Sequence, residues 1–389
     1  MARKVYATFF IILSIIICLV LFYLNLLIPV SYSLIFSLSA FIIAFLLFTR
    51  RPREFKDNFE GKVSIVIAAR NEESVIEKTI INLERSKYKN FEILVINDGS
   101  TDSTGEILNK LKERFSNLRV VDIPIEEKHG KVRALNIASR MINGDLMMIL
   151  DADALVDENY ISGAIKPFSD PSIGFVQTGR RVFNHSFVPE IYDGDFALTN
   201  IMMEYVIAPR SFGSGFILRA KYIKDLFPLK DSISDDQQIS NLISKKKIKG
   251  TFNSTVMLYE SAPLSFKTLI KQRKRWFLGS FMEMIRNNMS GFFLNTITVF
   301  LADIIIVSLF IGRFSFFNIA FICFLVFIPL ILLMHRKKFK IGNILAKWAG
   351  SVVSYLVDIM ICNASIFLSV VKFGKDVKWF KTPREGVQA

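Results

Sequence analysis

Two carboxylates one residue apart stand at Asp151-Ala152-Asp153, directly after the apolar run 146–150. A pair so spaced can hold a hard divalent cation and address the diphosphate that the cation bridges. Mg2+ or Mn2+ in that place neutralises the charge that develops on a departing nucleoside diphosphate. A second acidic group, Ser234-Asp235-Asp236, precedes a segment of helical periodicity at 237–243. It reads as a simple N-cap whose acids favour the helix dipole. Further polar groups close apolar runs at Asn71-Glu72 and at Asp98-Gly99-Ser100-Thr101-Asp102. Residues 267–276 (KTLIKQRKRW) mix cations with aromatics at helical spacing, which suits a helix lying in a membrane interface. Within it Gln272, Arg275 and Trp276, three and one apart, share a helix face. There is no P-loop signature and no GxGxxG, so neither a P-loop nucleotidase nor a dinucleotide enzyme is supported.

The elements that must position these groups are legible as short runs. Residues 62–69 (KVSIVIAA), 91–97 (FEILVIN), 118–123 and 146–150 (LMMIL) read as strands. Helical patterns follow the first through Leu83 and the second over 103–115. Strands alternating with helices predict an α/β fold with a doubly wound, mainly parallel sheet. Ligands of such sheets lie at the carboxyl ends of the strands. The acids at 71–72, 98 and 151–153 all sit there.

The chain has 389 residues, 51% of them hydrophobic, with a net charge of +14. Apolar content of that size excludes disorder. Three cysteines, Cys18, Cys323 and Cys362, all in apolar stretches, exclude a disulfide-stapled domain and read as buried bystanders. Residues 5–24 and 30–48 are uncharged and each about long enough to cross a bilayer, so 1–50 reads as a transmembrane hairpin. Arg3 and Lys4 before it and Arg50, Arg51 and Arg53 after it place both feet in the cytoplasm. Residues 292–312, with one charge at Asp303, and 314–334 repeat the theme, and Arg336, Lys337, Lys338 and Lys340 follow. The stretch 341–371 contains Lys347 and Asp358 and reads as a single span or as a re-entrant or interfacial segment. The basic tail lies outside in the first case and inside in the second. Asp303 and Asp358 are expected either to face protein or a watery path, or to reach the headgroups. The positive charge thus records membrane topology, and no basic stripe in the middle domain supports nucleic-acid binding. Five segments follow: a hairpin at 1–50, a cytoplasmic domain at 57–262, amphipathic interface helices at 263–289, C-terminal transmembrane helices at 290–372 and a tail at 373–389.

Taken in order, the motifs are more specific than any one of them. The sequence resembles the membrane-integrated family 2 glycosyltransferases, the group of cellulose, hyaluronan and poly-N-acetylglucosamine synthases. That family carries an early Asp in a D-G-S context, a DxD, a T/E-D motif and Q-x-x-R-W, the last beside returning membrane helices. Here they read Asp98-Gly99-Ser100, Asp151-Ala152-Asp153, Ser234-Asp235-Asp236 and Gln272-Arg273-Lys274-Arg275-Trp276. Ala69-Arg70-Asn71-Glu72 and Lys131-Val132-Arg133-Ala134-Leu135-Asn136 also match, with Arg133 in place of a small residue. Ser234-Asp235 stands for the usual Thr-Glu. The match covers 62–276.

The resemblance implies a GT-A-type domain inserted between transmembrane helices, and it implies roles. Asp98, with Asn71 and Glu72, meets the uridine and ribose, and Lys131 joins them on the nucleotide sugar. Asp151 contacts the nucleotide sugar and, with Asp153, holds Mg2+ or Mn2+. Asp236 is the base. Gln272, Arg275 and Trp276 serve the nucleotide sugar, with Arg275 on the diphosphate and Trp276 also offering a face to the acceptor. Gly213-Ser214-Gly215 resembles the loop that lets the acceptor approach the backbone, and reads equally as a tight turn. Val176-Gln177-Thr178-Gly179 is similar to another acceptor-side segment. The expected activity is inverting transfer from a nucleotide sugar, UDP-linked, to a growing β-linked polysaccharide, extruded through the membrane. The alternative is a glycolipid synthase adding one or a few sugars to a lipid. The expected setting is the plasma membrane with the catalytic domain cytoplasmic, in contact with membrane lipid and without nucleic acid. Five clear hydrophobic segments leave a complete channel to a homo-oligomer or a small membrane partner.

Overall fold

A computed structural model describes residues 2–25, 55, 57–126, 130–205, 209–211, 213–230, 232, 234–310 and 344–373. The chain divides into two compact units. One comprises Pro52–Pro189, Asn200–Leu264 and Pro383–Ala389, and the other Met1–Arg51, Glu190–Thr199 and Ser265–Thr382.

In the first unit the apolar runs form strands β1 (Val63–Ala69), β2 (Phe91–Asp98), β3 (Leu118–Ile123) and β4 (Leu146–Asp151). They pair in parallel, with Val63 opposite both Phe91 and Leu146. β1 and β2 are almost wholly apolar because helices cover both of their faces. On one side Ile65, Ile67 and Ile93 pack against Ile76 and Ile80 of α2 (Ile76–Glu84), Leu108 of α3 (Thr104–Arg114) and Ile161 of α5 (Tyr160–Ile165). On the other, Val66, Leu94 and Met147 pack against Leu135 of α4 (Lys131–Ala138), Leu226 of α7 (Ile223–Leu226) and Ile239 of α8 (Asp235–Lys246). The sheet is therefore doubly wound.

Four strands were expected and the sheet has eight. β5 (Leu155–Val156), β6 (Phe175–Val182), β7 (Phe216–Arg219) and β8 (Gly250–Glu260) complete the order β3-β2-β1-β4-β7-β6-β8-β5. β7 runs antiparallel to β4 and β6, and β5 antiparallel to β8, while β6 and β8 are parallel. Six strands thus share one direction and two oppose it, a mixed sheet with a parallel majority. β6 and β8 escape an apolar pattern because they bury polar groups in pairs, and β5 and β7 are mainly apolar but short. Arg180 of β6 meets Glu260 of β8. Asn253 Nδ2 donates to the Gly163 carbonyl, and Ser254 Oγ to Glu204.

The second unit is helical. It contains α1 (Ala2–Asn25), the Glu190–Thr199 part of α6 (Phe187–Tyr205), α9 (Phe266–Asn287), α10 (Met289–Phe310) and α11 (Ile344–Lys372). Ala7 and Ile11 of α1 meet Phe281 and Ile285 of α9, Phe292 of α10 and Ile366 and Val370 of α11 in one apolar core. The segment expected as interface helices is one unbroken helix of 22 residues, α9, capped by Ser265 Oγ, which accepts the Thr268 N–H. Likewise Ile344–Lys372 is one continuous helix of 29 residues, not a re-entrant pair. Asp303 faces protein, accepting from Asn363 Nδ2 at 2.9 Å. Among the described residues no helix is long and apolar enough to cross a membrane. Segments 30–48 and 314–334, the cations at 50–53 and 336–340, and the tail from 374 onward lie outside the described residues.

Candidate active site

The turns that follow β1 and β2 are built from each other's residues. Asn71 adopts a left-handed backbone (φ 55°), which Asn tolerates better than most side chains. This presents its N–H to Ser100 Oγ (3.0 Å) while its Oδ1 accepts the Thr101 N–H (2.7 Å). Glu72, buried, donates its N–H to Thr104 Oγ1 at 2.8 Å. Glu73 N–H reaches Asp102 Oδ2, and Glu73 Oε2 accepts the Ser103 N–H at 2.9 Å. A helix leaves its first N–H groups unpaired, and at α3 the turn after β1 supplies part of the cap. Asp98, 3% exposed, accepts the Gly130 N–H at 2.8 Å and so fixes the start of α4.

Lys131, the first residue of α4, extends from that point into a cluster of acids. Its Nζ lies 2.7 Å from Asp151 Oδ1 at the end of β4 and 3.5 Å from Asp235 Oδ2 at the start of α8. Burial pulls the ammonium's pKa down, but the charges of Asp151 and Asp235 and the hydrogen bond to Asp151 outweigh it and hold it well above the usual lysine range. Asp236 is half-buried beside them. Its Oδ1 accepts from Ser234 Oγ and from the Gln237 N–H, both at 2.8 Å. Ser234 occupies the N-cap position but its hydroxyl donates to Asp236 and caps no backbone N–H. Burial and then the neighbouring Asp235 charge push the Asp236 carboxyl above the ordinary aspartate range, against the pull of those hydrogen bonds and of Lys131. A carboxylate tuned upward in this way is a stronger proton acceptor.

Asp153 is 4% exposed, and its Oδ2 accepts the Ser261 N–H just past β8. Ser261 is placed by its neighbour Glu260, which Arg180 grips through Nε at 3.1 Å and through a second nitrogen. Asn200 holds the Arg180 backbone from both sides, accepting its N–H and donating to its carbonyl. Sequence reasoning missed Arg180 and Glu260, since neither stands in a recognisable motif. Asp151 is fixed through its main chain: its N–H donates to Ser214 Oγ at 3.0 Å. Ser214 is fully buried, and its carbonyl accepts from Gln177 Nε2. The hydroxyl of Ser214 thus supports the Asp-Ala-Asp turn, and Gln177 supports Ser214.

Gly215 closes this loop at φ 80°, with its N–H on the Ile149 carbonyl. A Cβ there would lie 2.3 Å from Thr178 Oγ1 and 2.5 Å from Leu258 Cδ2. Left-handed alanine costs about 1–2 kcal/mol, and overpacking adds roughly 1–3 kcal/mol. Gly215→Ala is therefore expected to lower the thermal midpoint of the full chain and to displace Ser214 from Asp151. An unchanged midpoint would contradict the geometry.

The acids, Lys131 and the Gly213–Gly215 loop belong to the sheet unit. Gln272, Arg275 and Trp276 belong to the helical unit, on α9. Gln272 is buried, and among the described residues its Oε1 has no hydrogen-bond partner. Arg275 and Trp276 are half-buried. The Trp276 ring centroid lies 6.1 Å from that of Tyr192 on α6.

Known proteins match this chain on both units. The family described as Glycosyl transferase family 2 matches residues 64–227, and Glycosyl transferase family group 2 matches residues 146–363. The chain is similar to poly-beta-1,6-N-acetyl-D-glucosamine synthase of Staphylococcus aureus, 29% identical over 246 residues, 61% of this chain and 59% of that one. It is also similar to beta-monoglucosyldiacylglycerol synthase of Nostoc sp., 34% identical over 139 residues, 34% of this chain and 30% of that one. The chain thus spans less than two thirds of the length of the curated relatives it matches. Among solved structures it resembles the mannosyltransferase PcManGT from Pyrobaculum calidifontis in complex with GDP-Man and Mn2+. The TM-score is 0.56 at 18% identity, covering 90% of this chain and 98% of that one, a likeness of fold.

Proposed function

The chain belongs to glycosyl transferase family group 2, and from that premise we propose that it is an inverting glycosyltransferase moving a sugar from a UDP-sugar to a growing β-linked polysaccharide. The observation that carries the reading is the meeting of Lys131, Asp151, Asp235 and Asp236 where β4 ends and α8 begins. It sets a proton acceptor, a phosphate-attracting ammonium and the first carboxylate of the Asp-Ala-Asp turn around one place.

The acceptor hydroxyl attacks the anomeric carbon from the face opposite the diphosphate. As the new C–O bond forms and the bond to the diphosphate oxygen breaks, Asp236 takes the hydroxyl proton. Lys131 steadies the diphosphate, and Asp98 and the joined turns after β1 and β2 hold the nucleoside. Arg275 and Trp276 keep the roles their motif implies, a planar fork for phosphate and an aromatic face for the acceptor sugar.

Asp151 and Asp153 offer hard oxygen donors, and among the described residues no group of three or more His, Cys, Asp or Glu forms a full cage. The pair fits a cation that takes one or two carboxylates and completes its shell from substrate phosphates. When bound, Mg2+ or Mn2+ neutralises charge on the departing diphosphate. The hydrophobic segments at both ends of the sequence support an integral plasma-membrane setting with the sheet unit cytoplasmic. The lipid-acceptor alternative is favoured by one observation, the 34% identity to a glycolipid synthase.

Purified chain in lipid vesicles, with Mn2+ or Mg2+ and labelled UDP-sugars, tests both. The expected result is label in a high-molecular-mass aqueous product. Solvent-extractable label alone would replace the polymer reading with the lipid one, and absence of incorporation from every donor would overturn both.

A further inference from the structure

Arg273 occupies the position after Gln272 that the Q-x-x-R-W pattern leaves open, yet it is 5% exposed. One terminal nitrogen donates to Asp195 Oδ2 on α6 at 2.6 Å and reaches Ser354 Oγ on α11 at 3.4 Å. The other lies 3.4 Å from Asp358 Oδ2, also on α11. Its guanidinium carbon stands 5.1 Å from the ring centroid of Tyr192 and 5.1 Å from that of Trp276. One group therefore binds three helices, and its planar face carries the motif's tryptophan, one helical turn away at i+3.

We propose that Asp195 and Asp358, acting through Arg273, are positioning residues that hold the Trp276 ring in the orientation in which it receives the acceptor sugar. The proposal rests on the acceptor role given to Trp276 above.

Stability does not account for the cluster. Taking charges out of water is expensive, and well-packed apolar replacements of buried ion pairs are often neutral or stabilising. Among the described residues, two of its polar atoms, Arg273 Nε and Asp358 Oδ1, are buried without a hydrogen-bond partner. A set optimised for stability would leave neither. What the cluster supplies is direction. A guanidinium held by carboxylates at two nitrogens cannot turn about its own stem, so it presents a fixed charge to the ring beside it. Asp358 also ties this plane to α11, and Gly350 lets that helix approach α6 closely: a Cβ there would lie 2.8 Å from Ile191 Cα. A lysine would keep the charge but lose the fork that grips both acids.

The test uses the full chain in lipid vesicles with Trp348→Phe and Trp379→Phe, which leaves Trp276 as the sole tryptophan. Into it go Arg273→Lys and the apolar triple variant Arg273→Met, Asp195→Leu, Asp358→Leu. The triple variant is expected to keep its thermal midpoint, to shift Trp276 emission and lower its anisotropy, and to raise the acceptor KM about 10²-fold, the cost of a misplacement near 1 Å. The UDP-sugar KM is expected to stay within about twofold. Arg273→Lys is expected to reproduce the emission change in part. Unchanged emission and acceptor KM in the triple variant would overturn the proposal. So would loss of its folded state, which would make the cluster a stability element. If the parent chain transfers no sugar at all, the proposed function fails, while the emission and anisotropy still judge whether Arg273 orients the ring.

Discussion

Asp236→Asn is expected to slow sugar transfer about 10²–10⁴-fold, the range usual for loss of a general base. The substitution is nearly isosteric. The asparagine Oδ1 can still accept from Ser234 Oγ and the Gln237 N–H, the two bonds that Asp236 Oδ1 now receives. The first turn of α8 therefore survives, and UDP-sugar binding is expected to change by less than about threefold. The pH dependence gives an independent signature. Burial and the Asp235 charge raise the Asp236 pKa, so as pH falls the group gains its proton earlier than an ordinary aspartate, whose pKa is about 3.9. Protonated, it cannot accept another. The acid limb of kcat/KM is expected to lie above that value in the parent chain and to vanish from the residual rate of Asp236→Asn. Full activity in the variant, or an acid limb that stays in place, would remove Asp236 from the role of base. Single-turnover transfer measured across pH reads both.

Asp153→Asn is expected to be nearly as severe, about 10³-fold in rate, because stabilisation of transition-state charge by a divalent cation amounts to several kcal/mol. The local geometry explains why asparagine is a poor substitute. One carboxylate oxygen of Asp153 accepts the Ser261 N–H at 3.3 Å. An asparagine would satisfy that donor with its single oxygen and leave an NH2 group, which cannot serve a cation as a ligand. Electron paramagnetic resonance of Mn2+ in the presence of UDP, together with the dependence of rate on Mn2+ concentration, checks the effect. Equal Mn2+ affinity in parent and variant would remove Asp153 as a ligand.

The strands that carry these acids were legible because their apolar runs are continuous and end at turn-forming acids. Val63–Ala69 and Phe91–Asp98 are buried on both faces, and their early polar residues, Ser64 and Glu92, hydrogen-bond to each other, so the apolar runs 65–69 and 93–96 stay unbroken. β6 and β8 were not legible for the opposite reason. Arg180 and Glu260 read as surface residues until the fold pairs them across 80 positions of sequence. The site divides in the same way. Asp151 and Asp153 stand out by their spacing at the end of a strand, whereas Asp236 opens a helix as any N-terminal acid does, and its reading as a base comes from the resemblance. That Ser234 serves Asp236 and not the helix backbone depends on one hydroxyl's direction, which no spacing encodes. Ser214 was placed by resemblance among acceptor contacts, and its burial beneath Asp151 could not be read from Gly-Ser-Gly alone. Asp358 was singled out as a charge in an apolar helix. Its partner Arg273 was hidden because it looked like one more cation in KTLIKQRKRW.

The mutual bonding of the turns after β1 and β2 has a consequence for how such chains can diverge. Asn71 reads Ser100 and Thr101, Glu72 reads Thr104, and Glu73 reads Asp102 and Ser103. The two stretches are laced together out of order, since Glu72 reaches Thr104 beyond the partners of Glu73. A residue inserted in either would pull several of these bonds apart at once. Lineages descended from this chain are therefore expected to keep both turns at fixed length or to change them together. Lengthening only one by a single residue should abolish UDP binding while leaving the strands beneath intact.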